Sequence, residues 1–219
     1  MSYCSLCRSP DGKLTLYLQT DIRSYWCCRT CRLIQVPVEF QLSAAAEKAH
    51  YDTHENNPLD QGYRDFLRRL TEPLSRLLLH PSTGLDFGSG PGPTAGILMQ
   101  EQGHRVENYD PFYAPDVGLL LHKYDFIILT EVIEHLRDPA LELVRLWDCL
   151  NPGGYLAVMT QMTDDVEDFG SWYYQRDPTH ICFWSRDTMI WLSKNLSGAQ
   201  LSFPGSSLAF LQKAAVEFD

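Results

Sequence analysis

"LDFGSGPGPT", residues 85–94, is an apolar run that breaks into three glycines set two apart. Leu85-Asp86-Phe87 has the pattern of the end of a buried strand, and Thr94-Ala95-Gly96-Ile97-Leu98 that of an opening helix. Glycine at 88, 90 and 92 lets the chain turn sharply and brings bare backbone up to a ligand. Taken alone, the pattern also fits a dinucleotide fold. A P-loop is excluded, because no Gly-Lys-Ser/Thr follows the glycines.

The flanking segments alternate in period. A helical pattern spans 44–80, with Phe66, Leu67, Leu70, Leu74, Leu77 and Leu78 on one stripe; Pro73 either interrupts it or starts a second helix. Beyond it the pattern predicts strand 84–88, helix 94–102, strands 105–110 and 125–132, helix 138–150 and strand 154–162. An insertion at 163–184 precedes a helix at 186–196, capped by Ser185, and two strands near 200–203 and 207–213. Such alternation implies an α/β fold: a doubly wound, Rossmann-like, mostly parallel sheet with an antiparallel last strand. In that architecture ligands bind at the carboxyl ends of the strands.

Two further features narrow the ligand. "RVENYD" ends in Asp110, 24 residues after Asp86, where an acid can accept hydrogen bonds from ribose hydroxyls. "YDFIILTEVIEHL" and "LNPGGYLAVMT" follow in order. With these motifs the chain resembles the class I S-adenosylmethionine-dependent methyltransferases over about residues 45–219. Within them it is most similar to the small "EVIEHL"-type enzymes of the ubiquinone-biosynthesis-like group. The resemblance implies a seven-stranded-type sheet and S-adenosylmethionine as cofactor. It places Gly88, Gly90 and Gly92 along the methionine part and Asp110 on the ribose. Thr130 and Glu131 would border the cofactor and the transfer site. Asp86 would orient the loop, unless it simply caps the turn.

One departure stands out. Only 14 residues, 111–124, separate Asp110 from Asp125, too few for the usual helix, third strand and helix. The acid that commonly meets the adenine amino group has no counterpart, which leaves Phe112 or Tyr113 to stack on the base. Ahead of the glycine loop, "HYDTHENNPLDQGYRDFL" offers Tyr51, His54, Asn57 and Tyr63 for the cofactor carboxylate or the substrate.

Methyl transfer from a sulfonium is an in-line displacement, so the protein mainly aligns the partners and excludes water. A hydroxyl acceptor would need a base, for which histidine suits neutral pH. His135 follows Glu131 by four, and His180 lies in "WYYQRDPTHICFWS", an insertion with the composition of a substrate lid. Each is either such a base or a structural hydrogen-bonding group.

Five of the seven cysteines fall in the first 31 residues, with "CSLC" at 4–7 and "CRTC" at 28–31. Two CxxC turns at the ends of a hairpin ("KLTLYLQT", then "RSYW") make the four-thiolate cage that zinc prefers. The expected ligands are Cys4, Cys7, Cys28 and Cys31, with Cys27 a bystander or the alternative to Cys28. Disulfides and a redox CxxC are the competing readings. A closed cage holds structure and performs no chemistry. The expected organisation is a zinc ribbon over 1–40 and a methyltransferase domain over 41–219, with its helical segment at 44–80.

The formal net charge is −10, from 28 acidic and 18 basic residues, and this field repels a polyanion. Arg64, Arg68, Arg69 and Arg76 interleave with acids and leucines as a solvated helix face. No apolar run is long enough to span a membrane, and the first residues lack a signal-peptide pattern, so a cytoplasmic location is expected. The sequence thus points to a methyltransferase acting on a small-molecule acceptor. A zinc-ribbon RNA methyltransferase is the principal alternative, and a non-catalytic S-adenosylmethionine-binding protein the next. The acceptor and the oligomeric state are not encoded in any motif.

Overall fold

A computed structural model describes residues 3–53 and 56–215. The chain begins with an antiparallel hairpin, β1 (Leu14–Gln19) and β2 (Ser24–Cys28), followed by the short β3 (Ile34–Gln35). Next come α1 (Ala44–Tyr51), α2 (Gln61–Leu77), β4 (Thr83–Phe87), α3 (Thr94–Glu101) and β5 (Arg105–Tyr109). Then follow β6 (Tyr124–Thr130), α4 (Pro139–Cys149), β7 (Leu150–Met159), β8 (Cys182–Phe183), α5 (Arg186–Asn195), β9 (Ala199–Gly205) and β10 (Leu208–Lys213).

The larger sheet runs β5-β4-β6-β7-β10-β9. Strands β5, β4, β6 and β7 are parallel, and β10 enters antiparallel between β7 and β9. Among the described residues this corrects the expected seven strands to six. The link before β6, residues 111–123, holds only a 3-10 turn, Val117–Leu121, because it is too short for a third strand with its helices.

The central strands are apolar on both faces, as a parallel sheet covered on each side requires. Phe126 and Ile128 of β6 pack with Leu67, Leu70 and Leu74 of α2 and Met99 of α3. The alternate residues Ile127 and Leu129 pack with Leu143 and Leu146 of α4 and Leu192 of α5.

The predicted helix 44–80 is two helices. Asp60 caps the second, its Oδ1 accepting from Tyr63 N at 2.6 Å. Pro73 does not end α2, which runs on to Leu77. A mid-helix proline costs about 3 kcal/mol. Burying Leu67, Leu70 and Leu74, at roughly 2 kcal/mol each, outweighs it. The apolar stripe is Leu67, Leu70 and Leu74 with Thr71 and Ser75; the expected member Leu77 is 51% exposed. Ser185 caps α5 as its sequence suggested, accepting from Thr188 N at 3.1 Å.

The smaller sheet runs β1-β2-β3-β8. Its fourth strand belongs to the insertion after β7, so the N-terminal hairpin and that insertion share one sheet, with Gln35 of β3 opposite Cys182. Among the described residues no helix is long and apolar enough to cross a membrane.

Candidate active site

A cleft of 720 Å³ opens at the carboxyl ends of β4, β5 and β6, floored by the glycine loop. Gly88 and Gly90 have φ of +76° and +63°, the left-handed region that favours glycine. A Cβ on Gly88 would lie 2.6 Å from Val132 Cγ2, and one on Gly92 only 1.9 Å from the Asn56 carbonyl oxygen. The bend is therefore bare for two reasons, conformation and close approach of a second segment.

Two acids hold it. Asp86, 1% exposed, accepts from Gly96 N at 3.1 Å through Oδ2, while its Oδ1 has no hydrogen-bond partner. Burial pushes its carboxyl up to about 7. Asp110 accepts from Gly90 N (3.0 Å) through Oδ2, and from Phe112 N (2.8 Å) and Tyr113 N (3.0 Å) through Oδ1. It ties the glycine loop to its own turn and sets a carboxylate at the lip of the cleft.

Helix α1 closes the opposite side. It buries no residue, and polar contacts at and beside it help attach it. Tyr113 Oη donates to Asp52 at 2.6 Å, and Arg137 donates to Leu42 O at 2.6 Å and to Glu47. Exposed pairs of this kind contribute about 1 kcal/mol or less each. Tyr51 lines the cleft, its ring 5.4 Å from that of His135 and 6.0 Å from that of Phe112. Tyr63 also lines it, its hydroxyl pushed up to about 12 by burial and the nearby Asp86 and Glu131. Asn57 does not reach the cleft: it is exposed, and its Oδ1 accepts from Leu59 N. Its neighbour Asn56 lines the cleft instead, an inversion that a two-residue polar repeat in an irregular segment cannot reveal. His54 lies outside the described residues.

Past β6 the chain takes an unusual turn. Thr130 and Glu131 line the cleft, and Glu131 adopts φ of +53°, a conformation that strains a non-glycine residue. Its Oε1 is buried without a partner. Burial and the neighbouring Glu134 raise its carboxyl well above the usual range. Glu134, fully buried, accepts from Thr160 Oγ1 at 3.0 Å and from Tyr174 Oη.

His135 and His180 both face the cleft, their ring centroids 4.7 Å apart. His135 Nδ1 meets Thr179 O at 3.1 Å, and His180 Nδ1 meets Tyr174 O at 2.7 Å. A carbonyl oxygen can only accept, so both Nδ1 atoms carry a proton, and in the neutral ring of His180 the lone pair is on Nε2. Burial holds the His180 ring at about 4, so it is neutral at physiological pH. One side-chain atom each of Glu134, His135 and His180 lies within 4.8 Å of the others. The roles of Glu134, Thr160 and Tyr174 are not legible in the sequence, because their partners are 14 to 40 residues apart.

In the N-terminal module, the thiols of Cys4, Cys7, Cys28 and Cys31 converge within 4.8 Å. Cys4 Sγ is 3.5 Å from Cys31 Sγ, and Cys7 Sγ is 3.5 Å from Cys28 Sγ. The two knuckles are alike: Arg8 and Arg32, each just after the second cysteine of its pair, have φ of 59° and 65°. Their amides donate to Cys4 O (3.0 Å) and Cys28 O (2.9 Å). Tetrahedral zinc with bonds of about 2.3 Å needs sulfurs roughly 3.8 Å apart, which this cage fits. Cys27 points elsewhere, its Sγ 3.8 Å from Arg32 O.

A family model described as a methyltransferase domain matches residues 59–196, more than half of the chain. Among solved structures, the chain is similar to the plantazolicin methyltransferase BpumL, crystallised with a pentazolic desmethyl analogue and S-adenosylhomocysteine. That likeness has a TM-score of 0.51 and 13% identity, and covers 77% of this chain and 91% of that one. It is also similar to the Burkholderia thailandensis 1,6-didemethyltoxoflavin-N1-methyltransferase, with 1,6-didemethyltoxoflavin and S-adenosylhomocysteine bound, over 91% of this chain and 99% of that one (16% identity, TM-score 0.49). No curated protein matches the chain. At these identities the structures speak to fold, while the family match spans the glycine loop, both acids and His180. The chain therefore belongs to the methyltransferase-domain family and is an S-adenosylmethionine-dependent methyltransferase of class I fold.

Proposed function

We propose that the enzyme transfers the methyl group to a small-molecule acceptor, and that the cleft described above holds both partners. The observation that carries this reading is the bare glycine bend: the Cβ positions of Gly88 and Gly92 are barred, and the Asp110 carboxylate stands at its lip. Gly88, Gly90 and Gly92 would lie along the methionine part of S-adenosylmethionine and Asp110 would meet the ribose. Phe112 and Tyr113 would flank the base. When bound, the sulfonium supplies the electrophilic methyl.

The chain's own residues then align and deprotonate. Thr130, Glu131 and Tyr63 border the reacting end. Either histidine can take a proton on Nε2, and His180, held neutral by burial, keeps that lone pair at any physiological pH. Glu134 stands by to stabilise the imidazolium that forms. The net charge of −10 favours a small acceptor over RNA. The strand-end "TEVIEHL" supports placing the enzyme with the ubiquinone-biosynthesis-like group. The convergent thiols support a structural zinc in a ribbon over residues 1–40, ahead of a catalytic domain over 41–219.

Calorimetry with S-adenosylhomocysteine on the wild type and Asp110→Ala tests the site. Losing one charged hydrogen-bonding group corresponds to about 1.5–3 kcal/mol, or roughly 10- to 150-fold in Kd. An unchanged Kd refutes the ribose assignment. A methyl-transfer screen against metabolites and against RNA at low salt then separates the acceptor classes; transfer to RNA alone would overturn the small-molecule reading.

A further inference from the structure

The loop that carries His180 is held from the opposite end of the chain. Arg23, in the turn between β1 and β2, is 5% exposed and uses all five guanidinium N–H groups on uncharged oxygens. Nε donates to Tyr25 Oη at 2.7 Å. Nη1 donates to His180 O (3.2 Å) and Pro178 O (3.5 Å), and Nη2 to Asp177 O (2.8 Å) and Gln175 O. Tyr25 Oη in turn donates to Gln175 at 2.9 Å from its carbonyl oxygen.

Among the described residues no carboxylate forms an ion pair with the Arg23 guanidinium, and burying an unpaired cation is expensive. A hairpin that needed only to be stable would be served by an apolar side chain here. What the guanidinium adds is geometry: a planar fork that gathers four carbonyls of an irregular loop, which no apolar residue and no lysine can do. The ladder continues the grip, since Val36 N donates to Ile181 O at 2.9 Å. On its other side Ile181 N donates to Glu134 O at 2.9 Å, which fastens the same loop to the turn after β6. His180 is thus fixed between the hairpin and the end of β6.

We propose that Arg23 is a positioning residue for the transfer site: by collecting the carbonyls of Gln175, Asp177, Pro178 and His180, it sets the His180 ring and the acceptor-side wall of the cleft. This rests on reading that cleft as the site of methyl transfer. Because Tyr174 supplies both the carbonyl that meets His180 Nδ1 and the hydroxyl that meets Glu134, release of the loop displaces all three groups together.

The His180 ring reports this without knowledge of the acceptor. Burial and His135 hold its ionisation down, while Glu134 and Asp177 hold it up, and His50 faces Asp177 at 3.3 Å. Histidine-selective NMR titration of the full chain, with the His180 resonance assigned by its loss in His180→Gln, is followed in wild type, Arg23→Met and Arg23→Lys. S-adenosylhomocysteine calorimetry accompanies each. In Arg23→Met, entry of water should move the His180 midpoint up by about one pH unit or more, with Kd within threefold of wild type. Arg23→Lys, with three donors on a point charge, should fall between.

A folded Arg23→Met with a lower melting temperature but an unmoved His180 midpoint overturns the proposal. If Arg23→Met does not fold, Tyr25→Phe removes only the hydroxyl that braces the guanidinium and Gln175. There a shifted midpoint sustains the proposal and an unmoved one overturns it. Failure of the wild type to bind S-adenosylhomocysteine would sink the reading of the cleft instead, and the His180 midpoints would still judge the placement of Arg23.

Discussion

Asp86→Asn should stabilise the unliganded protein at pH 8 and do little at pH 4. Asp86 is 1% exposed, one oxygen has a single amide donor and the other has none. Its folded value is about 7 against an ordinary 3.8. Between these two pH values the folded protein holds a proton that the unfolded chain has released, so the contribution of Asp86 to stability falls as pH rises. Three pH units correspond to a loss on the order of 4 kcal/mol, complete above about pH 8 and not yet begun below about pH 4. Asparagine keeps the shape and an acceptor for Gly96 N and removes the titration. Urea denaturation of both proteins from pH 4 to 8 gives the difference in stability as a function of pH, in which groups common to both proteins cancel. A difference that grows by several kcal/mol across that range supports the account. A flat difference would refute it, and would mean that water or a rearranged loop solvates Asp86.

Gly92→Ala should lower affinity for S-adenosylhomocysteine at least tenfold, about 1.4 kcal/mol, because its Cβ collides with the Asn56 carbonyl; calorimetry at the wild-type level would show that the 56–60 segment yields freely. Cys28→Ser should lose bound zinc on metal analysis and leave cofactor affinity mostly intact, whereas Cys27→Ser, whose thiol points away from the cage, should retain it; the reverse outcome would exchange the two ligands. Leu70→Ala, at a position with no exposure between α2 and the sheet, should cost roughly 2–5 kcal/mol of unfolding free energy by denaturant titration.

What the sequence made legible follows from the range of the interactions involved. The glycine bend, Asp110, the Ser185 cap and the CxxC knuckles are local devices, each readable within a few residues. The missing third strand was legible for the same reason, since fourteen residues cannot hold it. Pro73 misled because tertiary burial of three leucines outweighs a local penalty, and Leu77 because the stripe turns off the sheet in the last helical turn. The hydrogen-bond network behind the histidines was hidden. Thr160, Tyr174 and Glu134 meet only once the insertion has folded back, and a two-residue strand such as β8 leaves no periodic trace.

The same consideration explains why the N-terminal module is built as it is. A hairpin of eleven strand residues, β1 and β2 together, buries too little apolar surface to hold itself and a neighbouring loop in one geometry. The four convergent thiols lie at one end of it, where the proposed zinc would stiffen it, and the Arg23 fork ties the hairpin to the loop bearing His180. The insertion that bears His180 has only two 3-10 turns, Thr163–Asp165 and Tyr173–Arg176, and the two-residue β8 of its own, and it is joined to a sheet whose other strands come from the first 35 residues. The ladder between Gln35 and Cys182 joins these two parts directly.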